Sequence, residues 1–207
     1  MQTDIVPSIA QHVQETLGDE GFRSVSAVVA SCKLLTLELG DQEVAIDTQA
    51  LMLAAYLHDI STAAHGFVNH HILSAEMAVK LLRTYDVSSE CIRKVEQAIL
   101  VHTTAVPFAQ RDAVPIEGRI LYDADKLGRI SGLAVVTSLI EFGARYSNRP
   151  VTGDVLATIL RHVEEGFVEL YQSLYTEPAR ALANEKFGRT LAFLDGVIEH
   201  LSEATPI

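Results

Sequence analysis

Basic residues are scarce in this chain. Sixteen Lys and Arg stand against 27 Asp and Glu, for a formal net charge of −11. That balance argues against a general binder of nucleic acid or of anionic membranes, which needs a basic face. It leaves room for a phosphorylated small molecule, because a metal ion or a few local cations invert the field inside a pocket. Cysteine is scarce as well. Cys32 and Cys91 each sit in an apolar helical pattern and form no CxxC pair, the usage expected of buried thiols in a reducing compartment. The first residues, MQTDIVPSIAQHVQ, lack a basic segment leading into an apolar one, so no signal peptide is expected. The apolar run at Leu51–Leu57 is far too short to span a membrane. These absences together suggest a cytoplasmic protein. Strand-like alternation, internal repeats, low-complexity segments and a Gly-rich phosphate loop are all missing too.

What is present is helical. A chain of 207 residues fits one domain and buries roughly 70% of its unfolded surface, enough for a core without disulfides. Apolar residues make up 48% and charged residues 21%, an ordinary globular balance. A short helix over roughly 4–17 is expected to end near Gly18. Val25, Val28, Val29, Cys32, Leu35 and Leu39 then recur at helical spacing, up to Gly40. Asp47 is placed to cap a helix that runs into His58 and Asp59. ISTAAHGFV, residues 60–68, reads as a loop or loose turn, followed by a helix from about Asn69 to Tyr85. Ser88 or Ser89 caps the next, which ends near His102. Residues 103–115 read as a loop, with Pro115 at a helix start. Helix is expected from Ile116 to Arg145 with a break near Gly128–Gly132, then over roughly 153–175 and 177–202. The fold class is all-α, a single-domain bundle of about eight or nine helices. Its two C-terminal helices are expected to pack alongside as a hairpin.

The stretch LMLAAYLHD, Leu51 to Asp59, carries the chemistry. Apolar chain takes a histidine and an aspartate into the interior, where an unpaired carboxylate is costly and needs compensation. A metal ion is one candidate. Four of the chain's eight histidines lie between positions 58 and 71: His58, His65, His70 and His71. His102 ends an apolar helix. Imidazole and carboxylate together suit Zn, Fe, Mn and similar ions. A further carboxylate comes from LYDADKLGR, where Asp125 is better placed than Asp123 to point inward from an apolar helix face. Lys126 and Arg129 beside it are candidates to bind phosphate, with a solvent-facing cation as the alternative. Each of the others has a structural alternative as well. His58 and Asp59 would serve as a buried hydrogen-bonded pair, and His71 and His102 as partners of the last helical carbonyls. His65 and His70 would be solvent-facing or substrate-side, and Asp123 structural.

Taken in order, the adjacent His58-Asp59 after an apolar helix, AILVH at 98–102 and YDADKL at 122–127 resemble the HD (His-Asp) superfamily of metal-dependent phosphohydrolases. The match spans roughly residues 20–130, and LYTEPARALANEKFGRTLAFL, at 174–194, resembles a tail of small members. The resemblance implies one helical domain over residues 1–207, with a metal-site core at about 20–130 and C-terminal helices at about 150–203. It implies His58, Asp59 and Asp125 as metal ligands. By analogy with two-metal members it adds His71 and His102, with Asp59 bridging the ions and acting as the catalytic residue. It also implies a His early in the chain. Here the corresponding segment reads SVSAVV, and that position is Ser24. Water, His12, His65 or His70 are the candidates to take its place.

The implied cofactor is one or two divalent ions, with Fe, Mn, Ni, Zn and Mg all in play. The implied activity is hydrolysis of a nucleotide or other small phosphate ester by a metal-activated water. The metal must supply most of the phosphate recognition, aided by Lys126 or Arg129. The implied partner is that small phosphorylated substrate, with neither a nucleic-acid polymer nor a membrane involved; a homo-oligomer is compatible with the sequence. Two alternatives stand beside this reading. One is a degenerate, non-catalytic ligand-binding domain, suggested by Ser24. The other is a di-iron oxygenase of the same superfamily, kept open by His71 and His102.

Overall fold

Helix α2, Thr48–Leu57, is buried along almost its whole length, and the surrounding helices are placed by it. Ala50, Leu51, Leu53, Ala54, Ala55 and Leu57 are all fully shielded from solvent. A helix that is apolar on all sides can only be a central one. Burying each of its leucines contributes about 1.5–3 kcal/mol. Asp47 starts it, its side chain accepting from the Ala50 amide at 3.0 Å. Around it pack α1, Val6–Leu39; α4, His70–Arg83; and α5, Ser89–Val101. The computed structural model describes residues 5–40, 45–103, 113–129, 132–146 and 152–203.

Local chemistry explains the boundaries. α1 is interrupted at Gly18, whose φ of 69° lies in the left-handed region that glycine enters without strain. The break falls where the sequence signalled an end. Between α2 and α4 the chain makes only the four-residue α3, Thr62–His65. Ser88 caps α5 by accepting from the Cys91 amide at 3.2 Å. α6 spans Ile116–Arg129 and α7 spans Gly132–Arg145; residues 130–131, inside the expected break, lie outside the described residues. The expected loop at 103–115 and the turn at 147–150 lie largely outside the described residues.

Two compact units divide the chain, residues 1–125 and 126–207. In the first, the elements from α1 to the start of α6 enclose the core around α2. Glu117 of α6 is buried and accepts from the Asp47 amide at 2.8 Å, fixing the start of α2. In the second, α8, Gly153–Ser173, and α9, Glu177–Glu203, pack together as the expected hairpin, and α7 contacts both. Phe167 and Phe187 stack face to face across that hairpin. Among the described residues there is no strand, so the fold is all-helical. No described helix is long and apolar enough to cross a membrane.

Candidate metal centre

The site forms where two helices end and one begins. His58 is the C-cap of α2, His102 is the C-cap of α5, and His70 opens α4. Asp59 follows directly on α2. The C-terminal end of a helix carries partial negative charge. Two such ends meet at a carboxylate here, so the local field favours a cation.

Each of the three imidazoles is held in the same way. The Nδ1–H of His58 donates to the Ala55 carbonyl at 2.8 Å, that of His70 to Phe67 at 2.8 Å, and that of His102 to Ile99 at 2.5 Å. A carbonyl oxygen can only accept, so Nδ1 must carry the proton in every case. In the neutral rings Nε2 is then a bare lone pair, and these lone pairs converge. His70 Nε2 lies 3.2 Å from His102 Nε2. The His102 ring stands edge-on to both His58 and His70, with centroids 5.1 and 5.2 Å away. Two lone pairs at that separation repel unless a proton or a metal ion sits with them.

Asp59 lies among these nitrogens. Its Oδ2 is 3.4 Å from His58 Nε2, and its Oδ1 is 3.5 Å from His70 Nε2 and 3.9 Å from His102 Nε2. Oδ1 is buried and has no hydrogen-bond partner. A buried carboxylate oxygen without a donor is costly. The residues present therefore fit a divalent cation. Ligand atoms of His58, Asp59 and His102 all lie within 4.8 Å of one another, positioned to coordinate one.

The electrostatics agree. Burial works against ionised Asp59, but the hydrogen bond and charge of His58, then the charges of His102 and His70, outweigh it and hold the carboxyl at about 2. Burial, then repulsion from His58, pushes His102 down to about 3, so its ring stays neutral and ready to ligate. Burial also opposes a charged His58, yet the hydrogen bond and charge of Asp59 prevail and raise it. Asp59 thus draws positive charge onto His58, while His102 stays neutral.

The remaining sequence candidates fall around this group. Asp125 is half-buried and close enough for its charge to act on both His58 and His102, but it is not among the three clustered ligands. Asp123 is fully buried, so it is the more enclosed of the two aspartates. Both face Cys32, whose thiol is pushed up first by burial and then by their charges. His71 is not in the cluster either; its ring lies 5.8 Å from that of His70. His70 is the histidine of the pair that reaches Asp59. Ser24 and His65 are exposed, and His12 is half-buried on the segment of α1 before Gly18. Lys126 is 2% exposed, which removes the solvent-facing alternative for it. The Arg129 side chain lies outside the described residues.

A buried hydrogen-bond network behind the site holds the turn that follows Asp59. The Ser61 amide donates to Ser74 Oγ at 3.1 Å, Ser74 Oγ–H to Ser61 Oγ at 2.9 Å, and Ser61 Oγ–H to the His70 carbonyl at 3.1 Å. Both serines are fully buried. The network ties the end of α2 to the start of α4, and so ties Asp59 to His70.

Comparison with known proteins places this arrangement. A search of curated proteins found no match. Several solved structures share the fold. A predicted HD superfamily hydrolase from an uncultured Thermotogales bacterium is 22% identical, with 95% of this chain and 92% of that chain covered and a TM-score of 0.64. Bacillus subtilis YpgQ, solved in complex with ADP, is 20% identical over 99% of this chain and 97% of that chain, with a TM-score of 0.68. An HD-superfamily hydrolase from Bacillus thuringiensis is 18% identical over 97% and 98%, with a TM-score of 0.70. The HD-domain family model matches residues 25–130, just over half of the chain. That span contains His58, Asp59, His70 and His102, and with the fold and the cluster it establishes that the chain belongs to the HD-domain family.

Proposed function

We propose that the protein is a metal-dependent phosphohydrolase of the cytoplasm, acting on a nucleotide or another small phosphate ester. The observation that carries this reading is the buried, partnerless Oδ1 of Asp59, faced by the Nε2 atoms of His70 and His102. His58, Asp59 and His102 would hold the ion, with Asp125 and His70 as candidates to complete its shell. When bound, a divalent ion supplies Lewis-acid charge for phosphoryl oxygens and a water that is nucleophilic near neutral pH.

The protein's own groups do the rest. The Nδ1–H bonds to Ala55, Phe67 and Ile99 fix ring orientation and aim Nε2 inward, the outer support that metal-binding histidines require. Asp59, with its carboxyl near 2, remains ionised throughout the physiological range. A nucleotide as substrate is supported by the ADP bound to the structurally similar YpgQ.

Ser24 favours a second reading, a non-catalytic domain that binds the same ligands. One assay separates the two. The metal-loaded protein should release phosphate from a panel of nucleotides and simple esters with Mn or Ni, and Asp59→Ala should abolish the release. If the loaded wild type releases none across the panel, the hydrolase reading is overturned.

A further inference from the structure

Phe67 and Val68 are the most exposed large apolar residues of the α2–α4 connection, at 70% and 78%. Neighbouring Ile72 is 43% exposed. An exposed apolar group is ordinary by itself, but Phe67 is held in place from several sides. It follows Gly66, with φ at 66°, and precedes Val68 and Asn69, the latter with φ at 54°. Two left-handed residues three positions apart fix the direction of the short segment between them. The Phe67 carbonyl accepts the Nδ1–H of His70 at 2.8 Å. The Phe67 and His70 rings form a T-shaped pair, with centroids 5.7 Å apart and planes at 74°. His70 Nε2 is in turn 3.5 Å from Asp59 Oδ1. Phe67 is thus an aromatic ring kept in solvent one side chain away from the metal centre.

We propose that Phe67 is the specificity-determining residue of the site, a stacking platform for the planar base of a nucleotide whose phosphate is held at the His58–Asp59–His102 cluster. The inference rests on the phosphohydrolase reading and narrows its substrate to phosphates that carry an aromatic ring system. Stacking suits this position because it needs only an exposed ring face, and every base offers a π-surface. It also selects against phosphate esters of aliphatic alcohols and sugars, which offer none. The backbone bond from Phe67 to His70 links the two tasks, since the same residue orients a cluster imidazole and presents the ring.

The chain contains no tryptophan, so Phe67→Trp places a single indole at this point as a fluorescent reporter. With metal-loaded protein, ADP should quench or shift the Phe67→Trp emission, while ribose 5-phosphate at equal occupancy should leave it unchanged. Phe67→Leu, which keeps the residue apolar but removes the ring, should weaken ADP binding by about tenfold to a hundredfold, the scale of one lost base stack. It should leave ribose 5-phosphate binding and metal content near wild type. If calorimetry shows ADP binding while the indole does not respond and Phe67→Leu binds as tightly as wild type, the role of Phe67 is overturned and the site reading stands. If metal-loaded wild type binds neither ADP nor ribose 5-phosphate, both are overturned.

Discussion

Helix α2 has an aspartate at each end, and the two live in opposite circumstances. Asp47 precedes the helix, where the backbone amides and the positive end of the dipole welcome a carboxylate. It accepts from the Ala50 amide at 3.0 Å and pairs with Lys94 Nζ at 2.9 Å. Asp59 follows the helix, at the negative end, and one of its oxygens is buried with no partner. Both carboxyls are held below their ordinary value. Burial raises Asp47, but the Ala50 amide and Lys94 prevail. Burial raises Asp59, but the histidines prevail. The protein itself completes Asp47, whereas Asp59 still needs a cation. That difference separates a carboxylate that builds the fold from one that serves the site.

The widest gap between the two ends should appear in metal binding. Asp59→Ala should lower divalent-metal affinity by more than about a hundredfold, because it removes a ligand rather than a group supporting one. In the absence of metal the same change should still cost some stability, because the carboxylate that His58 holds at about 2 is lost with it. Equilibrium dialysis and thermal melts with and without chelator read both effects. Next in size is His70→Ala, which should weaken metal binding by about 10- to 100-fold while leaving the chelated protein's melting point near wild type.

The other end of α2 should behave inversely. Asp47→Ala should cost about 1 kcal/mol, a fall of about 2–4 °C in melting temperature, with metal affinity unchanged. The smallest effect is in pH. The Asp47 carboxyl is lowered from 3.8 in the folded state, so the unfolded chain binds a proton that the folded chain does not. Its contribution is present above about pH 4 and disappears as the pH falls through the folded value. Asp47→Asn keeps a capping oxygen and removes the charge. Its stability deficit at pH 7 should therefore close below about pH 4, and a deficit that persists in acid would mean that the charge of Asp47 is not what stabilises this end.

Much of this contrast was legible in the sequence. A capping residue, an apolar run and an abrupt His-Asp are local signals, and they marked both ends of α2. Gly18 and Ser88 were legible for the same reason. The identity of the histidine that opens α4 was not. The buried face of α4 is Ser74, Ala75, Ala78 and Leu82. His70 lies one turn before Ser74, and His71 one turn before Ala75, so periodicity cannot choose between them. The choice is made by backbone geometry, through the left-handed Asn69 and the bond from His70 to the Phe67 carbonyl. The burial of Asp123 and Lys126 was equally hidden, because nearly every residue from Ile120 to Leu127 is enclosed and no exposed stripe marks the face.

The account turns on what completes Asp59. Anomalous diffraction from a crystal grown with Mn or Zn would show it directly. The account predicts an ion bonded to Asp59 Oδ1 and to Nε2 of His58 and His102. An ion bound elsewhere, or a metal-saturated crystal in which Oδ1 is met only by protein donors or water, would contradict it.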